Sequence, residues 1–387
     1  MAIDRAEISA WLEASCPPEM REPAGEDGIC WGGKRWVFQS EAQKVWLERC
    51  AARGLTVPTW PKEYGGAGYT REDAAILREE MRRIHARPPL VSFGIWMLGP
   101  ALLKFGSPEQ KATHLPRIAR GEIRWCQGYS EPGAGSDLAS LRTKAEDRGD
   151  HYLVNGQKIW TSYADKADWI FCLVRTDAEA IKQRGISFLL IDMASPGVST
   201  RPIVLISGAS PFCETFFDNV AVPKENLVGT LHHGWDVAKY LLTHEREIIA
   251  GGGNLFDIHA LDRAAAAKAQ DGKLADPILR AQIARVAIDT HASEATRQRY
   301  LAEAANGGEI GARSALLKYD GTELNKRRYE LLMALTGAEG LYFDGNLGPA
   351  QDVARGWLRS KGNSIEGGTS EIMLDIVAKR LIELPAD

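Results

Sequence analysis

Hydrophobic and polar positions follow a helical period in the first third of the chain, a strand-like one in the middle, and a helical one again to the end. Ser40 with Gln43 forms a capping pattern that opens a helix over 41–53, and Gly54 stops it. Thr70 with Asp73 opens a second helix over 71–86, closed by Arg87-Pro88-Pro89. Between them Pro58 to Gly66 is too rich in turn residues for regular structure. Near Glu122 the pattern changes. His151-Tyr152-Leu153-Val154 and Gln157-Lys158-Ile159-Trp160 flank Asn155-Gly156, which predicts a β-hairpin. The runs 169–175, 186–193 and 215–222 are further short β-rich stretches bounded by turn residues. From Gly234 the helical period returns. Asp276-Pro277 marks a helix start, and 279–305, 312–335 and 370–384 read as helices. The predicted fold is therefore of α+β class: a helical domain over 1–121, a β domain over 122–228 and a helical domain over 229–387.

Composition narrows the possible functions. The chain has 387 residues, of which 44% are hydrophobic and 25% charged, the balance of an ordinary globular protein. A formal charge of -4 gives no basic field for nucleic acid or an anionic membrane. The six cysteines show no C-x-x-C pair and the eight histidines no ligand spacing, so reduced thiols and no metal site are expected. The opening Met1 to Glu7 has early acids and no apolar core, and no run of about 18 apolar residues exists. A cytoplasmic protein without membrane insertion is expected. No phosphate-binding G-x-x-x-x-G-K-[ST] or G-x-S-x-G elbow occurs. Gly133-Ala134-Gly135-Ser136-Asp137 lacks the third glycine of a dinucleotide fingerprint and precedes strand signals, not a helix. The 11 tryptophans and 38 glycines suit a large flat ligand, although tryptophan also fills cores.

Five segments carry more. They are Pro61-Lys62-Glu63-Tyr64-Gly65-Gly66, Ser130-Glu131-Pro132-Gly133-Ala134-Gly135-Ser136-Asp137, Asn155-Gly156-Gln157-Lys158-Ile159-Trp160, Phe217-Asp218-Asn219-Val220-Ala221-Val222-Pro223 and Gly367-Gly368-Thr369-Ser370-Glu371-Ile372. In their order and spacing the chain resembles an acyl-CoA dehydrogenase. The resemblance implies a central antiparallel β domain, a C-terminal helical bundle, and FAD held between them. It implies that Gln127, Tyr129 and Ser130 contact the flavin ring, with Trp160 packing on it and Ser162 hydrogen-bonding it. Gly135, Ser136, Gly337, Thr369 and Glu371 are further implied cofactor contacts, and Ser136 and Arg246 implied contacts of the CoA substrate. A flavin needs a flat apolar wall and fixed donors near its nitrogens and carbonyls, which these residue types can supply.

The implied reaction is α,β-dehydrogenation of an acyl-CoA thioester to the 2-enoyl-CoA. Its α-proton abstraction needs a carboxylate in a dry, apolar setting. One position that supplies it in the family is occupied here by Gly367, which has no side chain; Glu366 is one residue earlier. The other falls in His244-Glu245-Arg246. Helical spacing supports Glu245 independently: Leu241 lies four residues before it, and Ile248 and Ile249 three and four after. Glu247 is turned roughly 200° away. Glu245 is therefore the expected base, a β-hydride moves to flavin N5, and the Gly367 backbone N–H meets the thioester oxygen. An electron-transfer flavoprotein is the implied electron acceptor, and a homo- or hetero-tetramer the implied assembly.

The match weakens after the base helix. The family's Arg-x-Gln-Phe-Gly is replaced by Lys268-Ala269-Gln270-Asp271-Gly272, and lysine lacks arginine's bidentate fork. Leu335 to Gly340 also lacks the usual glutamine and second glycine. Some bacterial members, notably in sterol degradation, pair two unlike chains, and this chain could be the base-bearing partner. A flavin oxidase or monooxygenase on the same fold and a catalytically silent subunit are the alternatives. Acyl specificity depends on side chains along 95–103 and 237–242.

Overall fold

The computed structural model describes residues 3–22, 28–250, 259–305, 310–341 and 349–385, and their side chains except at 243–250, 304–305 and 349–351. The chain divides into two compact units, Met1–Ile203 with Pro211–Leu241, and Val204–Ser210 with Leu242–Asp387.

The first unit begins with helices α1 (Arg5–Ser15), α2 (Glu41–Ala52), α3 (Arg71–Arg83), α4 (Gly99–Phe105) and α5 (Pro108–Ala119). Their ends follow local chemistry. Thr70 Oγ1 accepts from Asp73 N–H, and the Asp73 carboxylate takes Thr70 N–H, a complete capping box. At α2 Ser40 accepts from Gln43 N–H, but the Gln43 side chain reaches Gln39 N–H instead of Ser40. Ile8 and Leu12 of α1 pack with Trp46 of α2 and Leu77 of α3 in one buried cluster. Each such side chain contributes roughly 1.5–3 kcal/mol.

The β elements are β1 (Trp125–Gly128), β2 (Lys144–Asp147), β3 (His151–Ser162), β4 (Trp169–Arg175), β5 (Ile186–Asp192), β6 (Val198–Ile203), β7 (Phe212–Pro223) and β8 (Leu227–Val228). They form one sheet in the order β6-β7-β3-β2-β4-β5-β8, with β1 beside β4. The pairs are antiparallel except β1–β4 and β2–β4. Ile170 to Val174 of β4 and Ile186 to Ile191 of β5 are buried on both faces, which explains their apolar sequence, broken only by Ser187.

The structure corrects the predicted hairpin at Asn155-Gly156. β3 runs unbroken from His151 to Ser162 and pairs with β7 on both sides of that dipeptide, with a register shift between Val154 and Gly156. The Asn155 side chain is bound across the ladder, donating to Asn219 Oδ1 (3.2 Å) and accepting from Asn219 N–H (2.9 Å). A Cβ on Gly156 would lie 2.5 Å from Thr143 Oγ1, so glycine permits the close approach of the chain leading into β2. Asn-Gly makes a bulge here; the chain turns at Arg148-Gly149-Asp150, where Arg148 N–H donates to His151 O (2.9 Å).

Helix α6 (Gly234–Ala250) follows β8, and the division between the units falls inside it. The second unit holds α7 (Ala260–Lys268), α8 (Pro277–Ala305), α9 (Arg313–Thr336), α10 (Pro349–Ser360) and α11 (Ser370–Arg380). Asp276 caps α8 by accepting from Ile278 N–H (2.8 Å) and Leu279 N–H (3.1 Å). Helix α9 is central: α7, α8, α10 and α11 all pack on it. Among the described residues no helix is long and apolar enough to cross a membrane. All six cysteines are buried and free.

His114 of α5 gives the first unit a pH response. Its ring meets Trp125 and Trp169 edge-on at 5.2 and 5.3 Å, and burial, aided by Arg117, pushes its pKa from 6.5 down to about 4. The unfolded imidazole therefore takes its proton first, and stability falls as pH drops from 6.5 towards 4, by about 1–3 kcal/mol. In urea unfolding at about pH 7 and pH 5, His114→Phe should lose less stability on acidification than the parent. Equal losses would show that His114 does not carry the response.

Candidate active site

The segment after β1 folds back tightly. Glu131 and Ala134 exchange backbone hydrogen bonds, both 3.0 Å, so Pro132 and Gly133 form the tip of a two-residue turn. The Glu131 side chain points inward and carries the loop. Its Oε1 accepts from Lys158 Nζ (2.8 Å) and Thr143 N–H (2.9 Å), and its Oε2 from Arg142 N–H (2.6 Å). Lys158 is 0% exposed and also donates to Tyr129 O (3.2 Å). Burial alone would raise the Glu131 carboxyl, but Lys158's charge and these hydrogen bonds hold it below the ordinary carboxylate value. Ile159 N–H adds a bond to Ser130 O (2.9 Å). The Ser130–Asp137 loop is thus fixed to β3.

That attachment sets Trp160. A second register shift of β3 against β7, between Lys158 and Thr161, puts Trp160 at φ +59, a conformation that bulky residues seldom adopt. Its indole stands 53% exposed, edge-on to Phe212 at 6.0 Å. Gln127 on β1 is half-buried, and its buried Nε2 finds no acceptor among the described residues. Tyr129 is buried edge-on against Phe171 and Phe188, and Ser162 ends β3 opposite Phe212. Gly135 and Ser136 are exposed, and a Cβ added to Gly133 or Gly135 would meet nothing within 4 Å. An exposed indole, an unsatisfied buried donor and open backbone fit a flat heteroaromatic group that brings its own acceptors.

The second unit has a parallel arrangement. Lys318 of α9, also buried, donates to Gly368 O (2.6 Å) and Asn363 O (3.0 Å). This clamps the turn containing Gly367 at φ +64 and Gly368 at φ +101, a backbone that a glutamate at 367 would adopt only under strain. Thr369 caps α11 by accepting from Ile372 N–H (3.2 Å). Glu371 sits in the first turn of that helix, where its own backbone N–H and the Thr369 side chain hold its carboxyl below the ordinary value. Glu366 has both oxygens engaged, by Arg359 Nη2 (2.7 Å) and Asn363 Nδ2 (2.6 Å). Gly337 ends α9, about 28 Å along the helix from Lys318. Gly367, Thr369 and Glu371 are brought together; Gly337 is not. Glu245 and Arg246 lie on α6, and their side chains fall outside the described residues. Leu241, one turn before Glu245, is fully buried. Gln270 and Lys273 exchange backbone bonds of 2.9 Å around Asp271-Gly272, a tight turn just after α7. Among the described residues no group of three or more His, Cys, Asp or Glu could hold a metal ion.

The sequence reading missed both lysines as organisers. A lysine at an inward position of β3 was a usable signal, because such a charge requires an acid partner. Lys318 gave no comparable one: the partners described above are backbone carbonyls.

Comparison with known proteins agrees with the segments. Residues 32–122, 126–220 and 232–382 match the N-terminal, middle and C-terminal domains of acyl-CoA dehydrogenase. The chain is 34% identical over 385 residues to acyl-CoA dehydrogenase IpdE1 of Mycobacterium tuberculosis (strain ATCC 25618 / H37Rv), covering 99% of this chain and 97% of that protein. Among solved structures it resembles the Tcur3481-Tcur3483 steroid ACAD, with a TM-score of 0.81 and 31% identity over 99% of this chain and 97% of that one. It also resembles the ChsE4-ChsE5 complex from Mycobacterium tuberculosis, with a TM-score of 0.75 and 29% identity over 99% and 97%.

Lys158→Met strands Glu131 as a buried, uncompensated charge and should cost about 3–5 kcal/mol in denaturant unfolding. Adding Glu131→Gln should restore much of the loss. A single variant as stable as the parent would show that the pair does not hold the loop.

Proposed function

The chain belongs to the acyl-CoA dehydrogenase family, and from that premise we propose that it oxidises the Cα–Cβ bond of an acyl-CoA thioester with FAD as its flavin. The observation that carries this reading is the Lys158–Glu131 pair, which ties the Ser130 loop to the strand presenting Trp160. Trp160 provides the flat wall for the flavin. Gln127, Tyr129, Ser130 and Ser162 provide its polar contacts, with Gly135, Ser136, Thr369 and Glu371 as further cofactor contacts. Ser136 and Arg246 hold the CoA arm. A bound flavin supplies the hydride acceptor, and an electron-transfer flavoprotein takes the electrons onward.

The chain's own part is proton transfer and charge stabilisation. Glu245 takes the α-proton; the buried Leu241 on the same face of α6 supports an apolar setting, which raises a carboxylate's basicity. Glu366 is committed to Arg359 and Asn363 and is a structural residue. Negative charge gathering on the thioester oxygen meets the Gly367 N–H, a donor that needs no side chain. Lys318 holds the neighbouring carbonyl of Gly368, so this donor is oriented before substrate arrives.

A second observation bears on assembly. The turn at Asp271-Gly272 stands where the family's arginine motif would be, and ChsE4-ChsE5 is a complex of two differently named chains. We propose that this chain supplies the base in a hetero-oligomer and that an unlike partner completes its flavin site. Expressed alone, it should carry well under one flavin per chain; full occupancy without a partner would overturn the pairing.

Glu245→Gln should retain flavin but slow its bleaching by substrate about 10²–10⁴-fold. Glu366→Gln should bleach at near the parent rate. The opposite pattern would move the base to Glu366.

A further inference from the structure

Arg124, just before β1, is a buried charge of the first unit for which no described residue supplies a counterion. It is 4% exposed. Its backbone N–H donates to Asp168 Oδ2 (2.8 Å), and Lys34 N–H takes up the same oxygen (2.9 Å). Its guanidinium, by contrast, lies 4.9 Å from the Trp31 ring centre and 5.0 Å from that of Tyr163. Among the described residues no carboxylate forms an ion pair with it: Asp165 and Asp168 influence it only through space. Burial lowers its pKa from the ordinary value, but an arginine remains cationic. Two ring faces return part of the cost of desolvating a guanidinium, and its donors have no acceptor among the described residues.

The surrounding rings are not core. Phe93 and Trp96 lie 6.0 and 6.3 Å from Trp31, and Tyr163 4.9 Å from it; all four rings are only half-buried. Trp46, Trp125, Phe171 and Phe188, which do form core, are fully buried. Phe93 and Trp96 flank and enter the π-helical turn Gly94–Leu98, a distortion frequent at functional sites. Tyr163 follows Ser162 directly and is held at φ +53, and Arg124 precedes Gln127 by three residues. The group therefore adjoins residues assigned above to the flavin.

We propose that Arg124 binds a carboxylate in a recess walled by these four rings, and that the acyl group oxidised by this enzyme ends in that carboxylate. Its planar fork matches a carboxylate bidentately, while the rings bury the carbon skeleton leading to it. The identity of the ligand as an acyl-CoA rests on the proposed dehydrogenation; the anion preference rests on Arg124 alone.

The test compares an ω-carboxyacyl-CoA with its ω-methyl ester, identical except for the terminal charge, on the purified flavoprotein. The free carboxylate should be favoured about 30-fold or more in kcat/KM, mostly through KM. Arg124→Met should abolish the preference, and Arg124→Lys, which keeps charge but not the fork, should restore part of it. Calorimetric binding of the same pair reads the preference without turnover. If neither thioester bleaches the flavin but the carboxylate binds more tightly, the proposed reaction fails and the anion site stands. Equal or tighter binding of the ester, or a preference unmoved by Arg124→Met, would overturn the site.

Discussion

A lysine ammonium buried in a protein interior must be surrounded by oxygens, and in this chain that requirement shapes both motif loops. Lys158 is satisfied by Glu131 and the Tyr129 carbonyl, Lys318 by the carbonyls of Asn363 and Gly368 among its contacts. In each case the lysine sits on a regular element, β3 or α9, and its partners on an irregular one. A glycine-rich loop has little side-chain packing to hold it and a high entropic cost of ordering. The buried charge supplies the missing restraint, because any loop movement leaves an ammonium without acceptors.

This restraint allows strained backbone to persist. Trp160 at φ +59, two residues from Lys158, is such a position, and Gly367 at φ +64, beside the Gly368 carbonyl that Lys318 holds, has a backbone that only glycine adopts without strain. Strained conformations survive where neighbouring contacts over-determine them, and they concentrate where chemistry needs a fixed presentation. The 11 tryptophans divide accordingly. Trp46 and Trp125 are core, Trp160 stands out from a bulge, and Trp31 and Trp96 line the half-buried group beside Arg124. The abundance of tryptophan is thus part packing and part exposed or half-buried surface.

Local chemistry was legible in the sequence and long-range chemistry was not. The capping box of α3 and the Asp276 cap of α8 use residues within three positions of each other, and both helices start within two residues of the expected place. The strand Trp169–Arg175 was read to the residue because its apolar run is bounded by polar and turn residues. Asn155-Gly156 misled because its side chain answers to Asn219, 64 residues away, and no local rule contains that bond. The five motif segments pointed to the family, but not to what binds them in place. Glu131 and Lys158 are 27 residues apart, Lys318 and Gly368 are 50, and Arg124 meets Trp31 and Tyr163 only through the tertiary fold.

The catalytic reading stands or falls on one reaction. Anaerobic titration of the purified flavoprotein with a panel of acyl-CoA thioesters should bleach the flavin absorbance for at least one member, and the recovered thioester should be the 2-enoyl-CoA, lighter by two hydrogens. A flavin band that no thioester bleaches, in protein that carries its flavin, would contradict it.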